Sequence, residues 1–118
     1  MAATTITKDV LGINAWKTLT LTALTSTTDG FEVEWDAHDE RTILLVQNTG
    51  SAAATVTIKA GNGIQGVKDL DAYSVAGGAV AAIAIDSGAY KNVTGESKGK
   101  VLVTGSATSL KMGLVETL

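Results

Sequence analysis

Apolar and polar residues alternate with period two in short runs along this chain, and no window supports a helix as a major element. Thr18–Ala23 reads Thr-Leu-Thr-Leu-Thr-Ala, which predicts a strand with Leu19 and Leu21 inward. After the turn signal Thr28-Asp29-Gly30, the run Phe31-Glu-Val-Glu-Trp35 puts three apolar side chains on one face and two glutamates on the other, so Trp35 is read as core. Ala54–Ala60 repeats the pattern with Val56 and Ile58 inward. Arg41–Asn48 departs from it: Ile43, Leu44, Leu45 and Val46 load both faces, the mark of a central strand.

Further strands are predicted at Ala79–Ile85, Tyr90–Val93, Lys100–Thr104 and Leu110–Val115, each bounded by Gly, Asp or Ser, and Tyr73–Val75 is a candidate for another, short one. Ala60–Asp71 holds Gly61, Asn62, Gly63 and Gly66 without any period and reads as a long shaped loop. About eight short strands at this spacing predict an all-β fold, a two-sheet β-sandwich for which the jelly roll is the candidate topology. With 118 residues there is room for one core, assigned to residues 18–118. Residues 1–17 alternate poorly and read either as an N-terminal arm reaching a neighbouring subunit or as an edge segment of the same domain. Their apolar side chains Ile6, Val10, Leu11, Ile13 and Trp16 are the candidate interaction residues.

Composition narrows the chemistry. The chain has no Cys and a single His, His38, which excludes a thiolate nucleophile, a disulfide framework and sulfur-based or His-rich metal sites. Nine Lys and Arg against twelve Asp and Glu give a formal charge of −3, so nucleic acid and anionic membranes are not favoured partners. No secretory leader and no apolar run of about 20 residues is visible, which predicts a soluble protein made in a cytoplasm. Charged residues make up only 18% of the chain, which suits a subunit packed against others.

The local motifs are weak. Gly61-Asn-Gly-Ile-Gln-Gly66 matches G-x-G-x-x-G and follows a predicted strand, but Val67–Asp71 opens no helix whose amides would face a pyrophosphate. Gly95–Lys100 is one residue short of a phosphate loop, with Val101 where a magnesium-binding hydroxyl belongs. Asn92-Val-Thr94 is a formal glycosylation sequon. Asp36, His38, Asp39 and Glu40 could offer metal ligands, yet so many from consecutive residues do not converge on one cation, and a solvated turn with Arg41 pairing locally is the better reading. No triad can be assembled around His38. No cofactor and no enzymatic activity is expected.

Asp39-Glu-Arg-Thr-Ile-Leu-Leu-Val-Gln-Asn-Thr-Gly50, followed by Ala54-Thr-Val-Thr-Ile-Lys-Ala-Gly-Asn-Gly-Ile-Gln-Gly66, resembles small structural proteins of tailed bacteriophages. The likeness continues through Ala82–Gly88, Tyr90–Val93 and Gly99–Thr104, and spans residues 39–118. These phrases are similar to those of auxiliary head proteins that decorate or cement the capsid. The resemblance implies a β-sandwich bound to the major capsid protein shell on the virion surface, often as a homotrimer, with no catalytic residues. Two other classes are open at this stage: a carbohydrate-binding module using Trp16, Trp35, Tyr73 or Tyr90, and a small hydrolase using Asp36 or Asp39. A tail or head–tail position is a narrower rival within the virion.

Overall fold

A computed structural model describes residues 3–35, 39–64, 68–96 and 98–117. It contains ten strands among these residues: β1 (Thr4–Ile6), β2 (Lys8–Leu11), β3 (Thr22–Ala23), β4 (Phe31–Glu34), β5 (Thr42–Asn48), β6 (Ala54–Ile58), β7 (Tyr73–Val75), β8 (Val80–Ile83), β9 (Lys100–Gly105) and β10 (Leu110–Thr117). The first sheet runs β1-β4-β9-β6-β7 and the second β2-β10-β5-β8, with β3 also paired to β10. Set β1 and β2 aside, and the remaining eight strands are joined antiparallel throughout, as β4-β9-β6-β7 and β3-β10-β5-β8. Chain order crosses between the sheets in the manner of two interlocked Greek keys, so the sandwich is a jelly roll. β1 and β2 extend it by parallel pairing, β1 beside β4 and β2 beside β10.

The alternation read from the sequence directs this packing. On β4 Phe31 and Val33 are buried and Glu32 and Glu34 face outward, and Trp35 just beyond is fully buried. Across the ladder Val101 and Val103 of β9 match Val33 and Phe31. Leu44 and Val46 of β5 stand beside Leu114 and Met112 of β10, completing the opposite wall of the core. Each fully buried side chain of this size contributes about 1.5–3 kcal/mol relative to leaving it in water.

Several expectations are corrected. Ile6 is not on the surface: β1 pairs Ile6 with Val33, and the side chain is buried in the chain's own core at 2% exposure. Residues 4–11 are edge strands of the same sandwich. In the predicted strand Thr18–Ala23 only Thr22 and Ala23 pair, and Leu24, not Leu19 or Leu21, fills the inward position. Leu21 instead lies across the outer face of β10. A Cβ at Gly113 would stand 2.5 Å from Leu21 Cδ2, so glycine is what admits this crossing. Thr20 N donates to Asp9 Oδ2 at 2.9 Å, tying the crossing down. Tyr90–Val93 makes a single bridge, Lys91 to Val101, because the Asn92 and Gly99 amides bond Lys100 and Asn92 carbonyls in a turn. β5 does sit centrally, between β10 and β8, but only one of its apolar faces is fully covered. Leu44 is 1% exposed and its neighbour Ile43 is 44% exposed.

Asn48 closes one end of the sandwich. Its buried carboxamide donates to Ala52 O at 2.8 Å and to Val75 O at 3.0 Å, and accepts from Gly50 N at 3.0 Å and Ser109 Oγ at 2.9 Å. Asn48→Ala leaves buried groups without partners and is expected to cost about 2–4 kcal/mol. Urea unfolding checks this: the midpoint falls while the slope with denaturant stays the same.

Candidate interaction surface

The residues with chemical potential are mostly occupied in holding loops. Asp36 and His38 lie outside the described residues. Asp39 begins a short 3-10 turn and accepts from the Trp35 indole at 2.9 Å through one oxygen, and from the Ser87 amide and hydroxyl at 2.9 and 3.1 Å through the other. Burial pushes its pKa up. The Ser87 amide, the Trp35 indole and the Ser87 hydroxyl, aided by the charge of Lys91, outweigh that effect and hold the carboxyl below its ordinary 3.8. Asp39 therefore positions the Trp35 ring and the 87–89 turn. Among the described residues no group of three or more His, Asp or Glu side chains is placed to hold a metal ion.

The glycine-rich loop has a structural task too. Gly61 is buried so closely against the Lys91 backbone that a Cβ would meet its carbonyl oxygen at 2.4 Å. Asn62 then bonds the strip opposite: its amide donates to Asn92 Oδ1 at 3.1 Å, and its Oδ1 accepts from Val93 N at 2.8 Å. Asp69 closes the loop on Lys59 Nζ at 2.6 Å and Ala60 N at 2.8 Å. Its carboxyl is lowered by the bond from Lys59 first and by the Ala60 amide second. No helix starts at residues 61–64 or 68–71. Gln65 and Gly66 fall outside the described residues. Gly95 and Gly99 take positive φ values of 83° and 81°, which makes the second phosphate-loop lookalike a turn.

What the molecule offers to partners is apolar. The outer face of the second sheet carries Ile43 and Leu45 on β5, with Ala82 directly beside Leu45 and Val80 beside Gln47 on β8. Val80 is 60% exposed. On the other side the face is closed off: Val115 and Gly113 of β10, paired with Ile43 and Leu45, are buried, with Leu21 lying over Gly113. Sequence reading did not single out this surface, although the doubly apolar run Ile43–Val46 was its signal.

Of the candidate interaction residues, Val10 is 37% exposed and Leu11 half-buried, while Ile13 and Trp16 are almost wholly exposed, Trp16 at 102%. Val10 and Leu11 belong to β2, and Ile13 and Trp16 stand on the loop of residues 12–21 between β2 and β3. Of the other aromatics, Trp35 is buried at 0%, Tyr90 is half-buried and Tyr73 is exposed on the edge strand β7. Between the sheets, a cleft of ≈430 Å³ opens beside the edge strands β7 and β8, walled by aliphatic residues of both sheets, with Leu70, Asp71 and Tyr73 at its rim.

No helix among the described residues is long and apolar enough to cross a membrane. No protein-family model, curated protein or solved structure matches the chain.

Asp39 makes the stability of the fold depend on pH. Because its pKa is lowered on folding, its stabilisation is complete above about pH 4 and is lost as pH falls through the folded value. Acid titration of thermal stability is expected to show a loss below about pH 4, and Asp39→Asn is expected to flatten part of it.

Proposed function

We propose that this chain is a structural subunit of a tailed-bacteriophage virion that decorates or cements the capsid, binding the major capsid protein shell through the outer face of its second sheet. The supporting observation is the double apolar character of β5. One face fills the jelly-roll core and the other carries exposed Ile43 and half-buried Leu45, beside Ala82 and Val80. A strand that is apolar on both sides is normally covered on both sides, and a single copy covers one fully and the other only in part. A contiguous exposed apolar patch on a rigid sheet marks an interaction site.

The sequence resemblance to auxiliary head proteins supplies the identity of the partner, and the lightly charged surface accords with an assembled subunit. Clamping is the mechanism of such a subunit. Copies that touch several coat proteins at once gain multivalent affinity and link pieces that internal pressure drives apart. Self-association belongs to the same reading, with a homotrimer as the implied form and the virion surface as its place. A sheet face acts through area and shape, so the proposed role needs no catalytic residue and no cofactor.

The test is co-sedimentation with expanded coat-protein shells of the phage that encodes the chain. Wild-type protein is expected to pellet with shells. Ile43→Lys and Val80→Glu are expected to remain in the supernatant while keeping thermal stability within about 0.5 kcal/mol of wild type, as exposed positions do. Wild-type protein that never pellets with shells overturns the proposal.

A further inference from the structure

We infer that copies of this chain associate head to tail, with the Trp16 loop of one copy seated in the inter-sheet cleft of the next. The two features lie at opposite lateral edges of the sandwich. The loop leaves from β2 and returns through β3, both on β10, whereas the cleft opens beside β7 and β8. In the second sheet β10 and β5 separate β2 from β8, three strand spacings or roughly 14 Å. The loop is held at both ends, by the β2 and β3 pairings and by the bond from Thr20 N to Asp9, so Trp16 stays away from its own cleft.

Size and charge both match. The cleft offers ≈430 Å³ lined by Leu44, Val46, Ile58, Ala81, Ile83 and Met112 among others. That is within the range of pockets that take a bulky apolar group. Trp16 at 102% and Ile13 at 81% exposure are the most prominent apolar groups of the loop. Lys17 follows Trp16, and Asp71 lies at the rim of the cleft, so the seated loop brings opposite charges together. A contact between two different surfaces propagates, closing into a ring where the rotation allows. An interface centred on one tryptophan is small, which implies weak association in solution that simultaneous attachment to a shell strengthens. The inference rests on the self-association part of the proposed function and not on shell binding.

Sedimentation equilibrium from about 10 μM to about 1 mM tests it, a range that brackets weak interfaces. Wild type is expected to associate with rising concentration, and Trp16 to lose acrylamide quenching as it does so, with Trp16→Phe identifying its signal. Trp16→Ala, which removes the anchor, and Ala81→Trp, which fills the cleft, are each expected to raise the dissociation constant Kd about thirtyfold or more. Their equimolar mixture retains one intact loop and one intact cleft, and is expected to form a one-to-one dimer. Asp71→Lys is an exposed change that leaves the fold intact. It is expected to weaken association about threefold, with Lys17→Asp in the same chain restoring it. Wild type that stays monomeric at about 1 mM, or Trp16→Ala that associates like wild type, overturns the inference. Either result leaves shell co-sedimentation to decide the decoration reading separately.

Discussion

The Asn48 carboxamide is the polar contact on which the arrangement of the two sheets turns. It sits at 0% exposure at the end of β5 and spends its donors on Ala52 and Val75 and its acceptor on Gly50 and Ser109. One side chain thus joins the second sheet to the edge strand of the first and to two turns. An amide buried this deeply is tolerable only when each of its groups is paired, so the geometry of all four neighbours is specified together. Around it the backbone follows suit, with Asn48 N bonded to Ala79 O and Gly78 N to Asn48 O. The sandwich is therefore shut at Val75, while at Tyr73, two residues earlier on the same short strand, the cleft lies open.

The N-terminal strands give the jelly roll its asymmetry. A chain that entered directly at β3 would have only two paired residues there. β1 and β2 lie on different sheets with only Thr7 between them, adding a parallel strand to β4 and another to β10. The cross-strand ion pair Lys8–Glu116, at 3.0 Å, and the Thr4–Thr25 hydroxyl bond fasten this addition. Its consequence is the loop of residues 12–21, braced across Gly113 and presenting Ile13 and Trp16 outward. Rigid support matters for a contact residue, because an aromatic held in place loses little freedom on binding.

Sequence reading went furthest where one face of a strand is apolar and the other polar. Phe31–Trp35, Ala54–Ala60 and Lys100–Thr104 became β4, β6 and β9 at nearly the expected bounds, since period-two alternation allows one pairing phase without exposing the core residues. It failed where side chains other than the alternating ones decided the path. Leu19 and Leu21 alternate well, but Gly113 and the Asp9 carboxylate draw residues 20 and 21 across the outside of the sheet, and Leu24 takes the core position. Ile6 carried no local sign of burial, because its place depends on a parallel pairing with Val33, far along the chain. The apolar outer face was half legible: β5 showed two apolar faces, but which of them stayed uncovered depended on β8 and β10.

From composition and pattern alone follow the all-β class, the single core, the inward role of Phe31, Val33 and Trp35, and a surface poor in charge. These depend on side-chain chemistry and its spacing, both of which are local. Tertiary packing settled which strands became neighbours, that Asn48 rather than an apolar residue closes the sandwich, and that Trp16 and the cleft stand at opposite edges. Such relations join residues far apart in the chain, and local periodicity carries no information about them.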